Sequence, residues 1–150
     1  MIYNLLIANI VATSIMLGVI LFVQLVHYPL FKSVGELQFI EYHKRHGFWT
    51  TWVVGPPMLI EAFATILIIL VAPPGINPQL LIWSGLCLSA VWLSTAIFQI
   101  PDHNTLSKGF KQLAHRRLVY LNWIRTFAWF AKTIMAILML YQYLKILGLK

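Results

Sequence analysis

Four apolar stretches constrain the fold of this 150-residue chain more than any other feature. They cover roughly residues 4–26, 51–71, 80–99 and 118–144. Each is close to the length of about 20 residues that an α-helix needs to cross the hydrocarbon core of a bilayer. Hydrophobic residues make up 60% of the chain and charged residues only 10%, which is outside the range of soluble domains. The sequence therefore predicts an all-α integral membrane four-helix bundle, with residues 1–150 forming one transmembrane domain.

The connection between the first two stretches has its own pattern. Residues 33–47 are amphipathic, with Val34, Leu37 and Ile40 on one face and charged side chains on the other. This pattern predicts a short amphipathic helix that lies in the membrane interface before the second span. Inside that span, Gly55-Pro56-Pro57 predicts a kink or a loosened turn.

The net charge of +7 is distributed unevenly along the chain. The second connection, residues 73–78, carries no charge, and only Lys145 and Lys150 lie near the C-terminus. The other connections carry most of the cations: Lys32, Lys44, Arg45, Lys108, Lys111, Arg116 and Arg117. The positive-inside rule then places these two connections in the cytoplasm and both termini outside. We interpret the basic residues as orientation signals that also contact membrane lipid, and not as a nucleic-acid surface.

All five histidines fall at this same predicted membrane face: His27, His43, His46, His103 and His115. Imidazole is a good ligand for iron, copper and zinc, and it also transfers protons near neutral pH. The set therefore predicts either a metal site or a proton-transfer site. Haem is less favoured, because the chain has no c-type attachment sequence and most of the histidines lie at helix ends.

Three charged residues lie inside the predicted spans: Glu61, Arg125 and Lys132. By helix rise, Glu61 is roughly 15 Å into the second span and Arg125 roughly 10 Å into the fourth. A charge facing lipid at such depth is costly, so each residue needs a partner. We expect Glu61 to pair with Arg125, with Lys132 as the alternative partner. Such a pair either fixes the helix register or forms part of a working site.

Polar and aromatic side chains near these charges predict a pocket. Gln24 and Gln99 end the first and third spans, and Asn122 and Trp129 share the face of the fourth helix that carries Arg125. If all four helices point these groups inward, they enclose a polar pocket that opens to the cytoplasm. Gln24, Gln99, Asn122 and Trp129 are then the candidate binding residues for a flat, lipophilic small molecule.

The order of the motifs carries a resemblance to a known family. In chain order they read Val26-His27-Tyr28-Pro29-Leu30-Phe31, Tyr42-His43-x-x-His46, Val54-Gly55-Pro56-Pro57-Met58-Leu59-x-Glu61, Gln99-x-Pro101-x-His103-x-x-Leu106 and His115-Arg116-Arg117-Leu118-Val119-x-x-Asn122-Trp123-x-Arg125-Thr126. This order resembles a group of small four-span bacterial membrane proteins that is distantly similar to the anthrone oxygenase-like family. The resemblance implies a four-helix bundle in the bacterial inner membrane that oxidises an aromatic, quinone-like substrate with dioxygen.

Two functions remain open at this point. The first is a membrane oxidoreductase or oxygenase in which Glu61 is the buried acid or base, Arg125 stabilises negative charge, and His103 joins them in catalysis. The second is a non-enzymatic subunit of a membrane assembly that binds or transports a ligand or ion. Small residues on the third helix, such as Ser84 and Ser94, are typical of close helix packing and are compatible with a homo-oligomer.

Overall fold

The computed structural model describes residues 1–148, which contain helices and turns but no strand. Leu149 and Lys150, the latter a terminal cation of the charge argument, lie outside the described residues. The helices are α1 (Ile2–Phe22), α2 (Tyr28–Leu30), α3 (Glu36–Val71), α4 (Pro78–Ser94), α5 (Ile100–Leu106) and α6 (Gln112–Ile146). The chain also contains two π-helical segments, Val23–His27 and Thr95–Gln99, and one 3₁₀ turn, Phe31–Ser33. The all-α prediction is confirmed.

Four helical segments within residues 1–148 are long and apolar enough to cross a membrane. They are Ile2–Ser33, Glu36–Val71, Pro78–Leu106 and Gln112–Ile146, and they contain the four predicted stretches. Large apolar side chains face outward from the bundle, among them Trp52, Phe63 and Leu70. A soluble surface rarely presents such a continuous apolar area, whereas a bilayer covers it. By their length and composition, these four helices indicate a multi-pass membrane protein.

Helix α3 is continuous from Glu36 to Val71. The amphipathic residues that were expected to run into the second span form its first turns, and their position in the membrane interface stays a prediction. The helix is not interrupted at Gly55-Pro56-Pro57, although neither proline can donate a backbone hydrogen bond. A kink at this place therefore stays a prediction. Proline is tolerated within a membrane span because neighbouring helices and side chains satisfy the backbone groups that proline leaves without a hydrogen bond.

The two π-helical segments have a common cause. Each ends two residues before a proline, Pro29 or Pro101, which has no N–H and whose ring crowds the carbonyl four residues earlier. The helix widens by one residue, so that the N–H of Tyr28 bonds to the Val23 carbonyl and that of Ile100 to the Thr95 carbonyl. In a regular α-helix, residues at positions i and i+4 point in directions that differ by about 40° around the helix axis. The extra residue in the wider turn offsets this drift, which helps residues spaced by four to stay on the interior face.

The long helices pack as a ring. Helix α1 packs against α3 and α6, and α4 packs against α6 and α3, so α3 and α6 lie on one diagonal. Ser84 and Ser94 are buried inside this ring. The small residues of α4 therefore serve packing within the bundle, and a homo-oligomer stays a prediction.

Two apolar clusters divide the interior by depth. One lies towards the end that carries the histidines, which we call the histidine end, and includes Met16, Phe31, Phe39 and Trp129. The other fills the opposite end with Leu6, Ile68, Ile76, Leu81, Ala136 and Met139. Most of the buried polar side chains lie between the two clusters or at the histidine end.

Candidate functional site

Four of the five histidines form a cluster at the histidine end. His27 Nε2 lies 2.8 Å from His46 Nδ1, and His43 Nε2 lies 3.1 Å from His103 Nδ1. The rings of His46 and His103 stack at 5.7 Å between centroids, which brings the two pairs together. Predicted convergence of these four residues is therefore seen in the structure.

Two hydroxyl groups extend this histidine cluster. The Tyr28 hydroxyl lies 2.9 Å from His103 Nε2, and Thr50 Oγ1 lies 3.0 Å from His46 Nδ1. Both nitrogens of His103 are thus hydrogen-bonded, whereas the contacts of His46 are all made through Nδ1. The sequence analysis missed Tyr28 and Thr50; the signal for Tyr28 was its position directly before Pro29, where the helix widens.

The fifth histidine has a different role. His115 is buried, and its Nε2 donates to the Tyr28 carbonyl over 2.8 Å. That carbonyl belongs to the segment where Pro29 disturbs the regular helical hydrogen bonds. His115 therefore fixes α6 to the end of the first span and lies apart from the cluster.

The ring nitrogens of the cluster are paired with one another, His27 with His46 and His43 with His103. In residues 1–148 no group of three or more His, Cys, Asp or Glu side chains is arranged to hold a metal ion. The metal site expected from the sequence therefore stays a prediction.

A cavity of about 480 Å³ lies directly below the histidine cluster. Its apolar wall comes mostly from α1 and the Val23 turn, with Met16, Val19 and Ile20. Its polar wall is contributed by α3, the end of the third span and α6. The polar side chains that line the cavity include Tyr28, His43, His46, Thr50, Gln99, His103 and Arg125. A lipophilic molecule with a polar edge matches such a lining.

Two of the lining side chains are buried with unused hydrogen-bonding groups. Gln99 is 2% exposed, and neither its Oε1 nor its Nε2 has a partner among residues 1–148. Arg125 is 7% exposed, and its Nε is likewise without a partner in the described chain. Buried polar groups are rarely left in this state. Of the buried side chains with unpartnered atoms in residues 1–148, Gln99 and Arg125 are the two that line the cavity, so they are the candidates there for binding a polar group.

Gln24 and Asn122, which were predicted to bind substrate, lie behind the cavity wall. Gln24 donates to the Val119 carbonyl at 3.1 Å and accepts from Asn122 Nδ2 at 2.9 Å. Asn122 Oδ1 in turn accepts from Arg125 at 3.2 Å. Neither Gln24 nor Asn122 lines the cavity. Gln24 and Asn122 therefore position the guanidinium. Of these three hydrogen-bonded residues, Arg125 is the one that lines the cavity.

The predicted pairing of Glu61 with Arg125 is wrong. Glu61 lies 2.9 Å from the Lys132 ammonium and accepts at 2.8 Å from the Trp129 indole N–H. The Arg125 guanidinium stacks over the Trp129 ring instead, 5.1 Å from the ring centroid. Trp129 is thus a layer between the cavity and the ion pair, and neither Trp129 nor Glu61 lines the cavity.

The ion pair is enclosed and hydrogen-bonded. Glu61 and Lys132 are 1% and 0% exposed. The ammonium also donates to Thr65 Oγ1 at 2.7 Å, and Thr65 accepts from Asn9 at 2.7 Å. We call Glu61, Trp129, Lys132, Thr65 and Asn9 the deep network. A charged pair with these partners is held firmly in place, which is the arrangement expected of a group that fixes register.

A second buried carboxylate lies at the histidine end. Asp102 is fully buried and accepts two hydrogen bonds from Arg117 Nε, at 2.9 and 3.0 Å, with further contact from Nη2. Asp102 lies in α5 and Arg117 near the start of α6. This fork-like pair closes the short connection between the two helices and so sets the position of His103, the neighbour of Asp102.

Comparison with known proteins adds no relative to this geometry. No protein-family model, no curated protein and no solved structure matches the chain. The resemblance to anthrone oxygenase-like proteins therefore stays a prediction.

Proposed function

We propose that this protein is a membrane-embedded oxidoreductase or oxygenase that acts on a lipophilic, aromatic or quinone-like substrate. The observation that carries the proposal is the cavity in which Gln99 and Arg125 present unused polar atoms below a cluster of four histidines. An apolar wall suits an aromatic ring, and the two polar groups suit a carbonyl or phenolate oxygen on its edge.

Arg125 and Gln99 bind the oxygen of the substrate in this proposal. The guanidinium is held by Asn122 and by the face of Trp129, so it is already in position before the substrate enters. A preorganised cation away from water stabilises an oxyanion that develops when a neighbouring carbon loses a proton. Arg125 thereby keeps the role predicted from the sequence, while Glu61 positions Trp129 behind it.

A histidine accepts that proton. The sequence predicted Glu61 as the acid or base, with His103 beside it in catalysis. Glu61 does not line the cavity, and both nitrogens of His103 are already bonded, to His43 and Tyr28. His46 contacts Thr50 and His27 through Nδ1 alone. In the tautomer whose Nδ1–H donates to Thr50, Nε2 of His46 is a free base that can take up a proton. His103 then stabilises the cluster through Tyr28 and His43.

The overall reaction is the oxidation of an activated CH₂ group. The carbon loses one proton to His46, and dioxygen oxidises the resulting enolate with formation of a C–O bond. His46 then returns the proton to the peroxide anion, which becomes a hydroperoxide. Loss of water from the hydroperoxide gives the ketone, so that CH₂ and O₂ become C=O and H₂O. The negative charge of the enolate is the species that Arg125 stabilises.

Anthrone oxidation tests this proposal. Purified protein in detergent is given anthrone, and oxygen uptake and anthraquinone absorbance are followed. We expect uptake above the detergent background that falls at least tenfold in Arg125→Met and in His46→Gln. Arg116→Met, which changes an exposed arginine outside the cavity, is the matched control.

Two other outcomes are informative. Saturable anthrone binding without oxygen uptake would support the non-enzymatic alternative, a ligand-binding subunit. Absence of both binding and uptake would contradict an aromatic substrate. A transport role is less well supported, because the second apolar cluster fills the end of the bundle opposite the histidines.

The metal prediction has its own measurement. Elemental analysis of the purified protein that found near-stoichiometric iron, copper or zinc, lost in His43→Gln and His46→Gln, would confirm it. Such a result would also require the paired rings to rotate away from one another, because their nitrogens now face each other.

For the location we propose the bacterial inner membrane, with the histidine end towards the cytoplasm and both termini outside. The support is the charge distribution: the connections at the histidine end are basic and the opposite connection carries no charge. Reporter fusions at either terminus test this orientation.

A further inference from the structure

A second concave surface lies on the outside of the bundle between α1 and α3. This surface, which we call the α1–α3 groove, has a volume of about 580 Å³. Gly18 and Phe22 line it on α1, and Trp49 and Val53 line it on α3. Phe22, Trp49 and Val53 are all more than half exposed, on a face that the bilayer covers. The groove is therefore a site for an apolar molecule from the lipid phase.

The groove and the cavity share one wall. Five residues line both of them: Val19, Val23, His46, Thr50 and Val54. Four of them, three valines and a threonine, have short side chains, and the fifth is His46. A single layer of side chains thus separates the polar cavity from the lipid-facing groove, and a molecule that extends from one into the other has to displace only this layer.

Gly18 keeps the groove open on the α1 side. A Cβ atom at this position would meet nothing within 4 Å, so no neighbouring side chain fills the space. Glycine weakens the interior of a helix, because its backbone is more mobile when unfolded. The open surface at Gly18 therefore leaves room for a molecule against α1 on this side of the groove.

We propose that the substrate carries an apolar chain, which lies in the α1–α3 groove while the aromatic head occupies the cavity. This inference rests on the proposed function and adds the class of substrate, a lipid with a polar aromatic head and a hydrocarbon tail. The cavity is lined by polar and charged side chains that suit the head. The groove lies on the other side of the shared wall, and once the short side chains of that wall are displaced it leads the tail back to the bilayer, where the tail remains in an apolar medium.

Binding of two quinones in lipid nanodiscs tests this inference. The probes are menadione, which has no tail, and menaquinone-4, which has the same head with a tail of four isoprene units. Quenching of tryptophan fluorescence gives the affinity, since Trp49 lines the groove. We expect Gly18→Phe to bind menadione like the wild type and to lose at least tenfold in affinity for menaquinone-4. Val53→Trp, which narrows the groove from α3 and does not line the cavity, should act in the same way.

Val11→Phe is the matched control. Val11 is an exposed residue two turns before Gly18 on the same face of α1, and it lines neither the groove nor the cavity. This variant should bind both quinones like the wild type. It adds the same bulky side chain to the lipid-facing surface, so it separates a blocked groove from a general effect of phenylalanine in the bilayer.

The outcomes separate the two proposals. If the wild type binds neither quinone, a quinone-like head and with it this inference are wrong. If Gly18→Phe and Val53→Trp bind both quinones as the wild type does, the groove holds only bilayer acyl chains and the inference alone is overturned. A variant of menaquinone-4 with a photoreactive group at the end of its tail should label Phe22, Trp49 or Val53, and labelling spread evenly over the bundle would also contradict it.

Discussion

The cavity and the deep network are separated by one tryptophan ring, yet their buried polar groups are held differently. In the deep network, the Glu61 carboxylate and the Lys132 ammonium pair with each other and with Trp129 and Thr65, and both are enclosed. In the cavity, Gln99 and Arg125 are nearly as buried but keep atoms without partners in the described chain. Other buried atoms without a hydrogen-bond partner, such as Asn9 Oδ1 and Ser84 Oγ, belong to side chains that do not line the cavity. Burial and a free polar atom therefore indicate a working group only where the side chain also lines a cavity.

This contrast changes which residue is the leading candidate for catalysis. Depth in the membrane made Glu61 the leading catalytic candidate. The structure shows that its Oε2 accepts from Trp129, that its Oε1 lies 2.9 Å from the Lys132 ammonium, and that the side chain does not line the cavity. Arg125 and Gln99 line the cavity and have free hydrogen-bonding atoms there. This difference should have measurable energetic consequences.

Removing one member of the deep ion pair should have the largest effect. Lys132→Met leaves the Glu61 carboxylate buried without its cation, which we expect to cost about 3–5 kcal/mol of unfolding free energy. The double variant Glu61→Gln/Lys132→Met, which removes both charges, should recover most of that loss. Unfolding in mixed micelles of increasing SDS content measures both. A loss under about 1 kcal/mol in Lys132→Met would mean that water reaches this layer, against the enclosed network described here.

The indole hydrogen bond to Glu61 should contribute less. Trp129→Phe removes the N–H donor and keeps an aromatic ring under Arg125, so we expect a loss of about 1.5–3 kcal/mol, the usual range for a hydrogen bond to a charged group. The same unfolding assay measures it. Trp123→Phe, at a partly exposed tryptophan one and a half turns earlier on α6, is the control and should change stability little.

A change in the cavity should have the opposite sign. Gln99→Leu replaces a buried amide that has no partner with an apolar side chain of similar size. We expect stability to stay the same or rise by about 1 kcal/mol, since the cost of burying an unsatisfied amide is removed. Anthrone affinity should fall about tenfold in the same protein. A clear loss of stability would show that Gln99 has a structural partner, and it would place Gln99 with the deep network.

The exposed ion pair at the histidine end should matter least. Arg45 donates to Glu41 one turn earlier on α3, and both side chains are largely exposed. Water and salt screen such a pair, so Glu41→Gln should leave the midpoint of thermal unfolding unchanged within error. A measurable drop would indicate that the first turns of α3 depend on this pair, and so would question the rigid continuation of α3 beyond the predicted span.

The sequence predicted the outline of the site better than its contacts. The four histidines of the cluster were placed together from the order of spans and connections, because helix ends at one face of a bilayer must be neighbours in a small bundle. His115 could not be separated from them in this way. Its assignment depends on a single hydrogen bond to the Tyr28 carbonyl, which only the packing of α6 against the first span creates.

The partner of Glu61 shows the same limit. Arg125, Trp129 and Lys132 follow one another at intervals of four and three residues and therefore share one face of α6. A residue on the diagonally opposite helix can meet any of the three, depending on how far one helix is shifted along the other. The length of a span fixes that shift only to within a turn or two, so the sequence favoured Arg125 and the fold selected Lys132.

Hydrophobicity and helix length by themselves determined that this chain is a four-helix bundle of the membrane type and that its histidines share one end. These properties follow from the bilayer thickness and the connectivity of the chain, which act on every residue of a span at once. Which polar groups are paired and which stay free was decided only by the tertiary structure. That outcome depends on shifts of a few ångströms between helices, too small to leave a signal in the pattern of apolar residues.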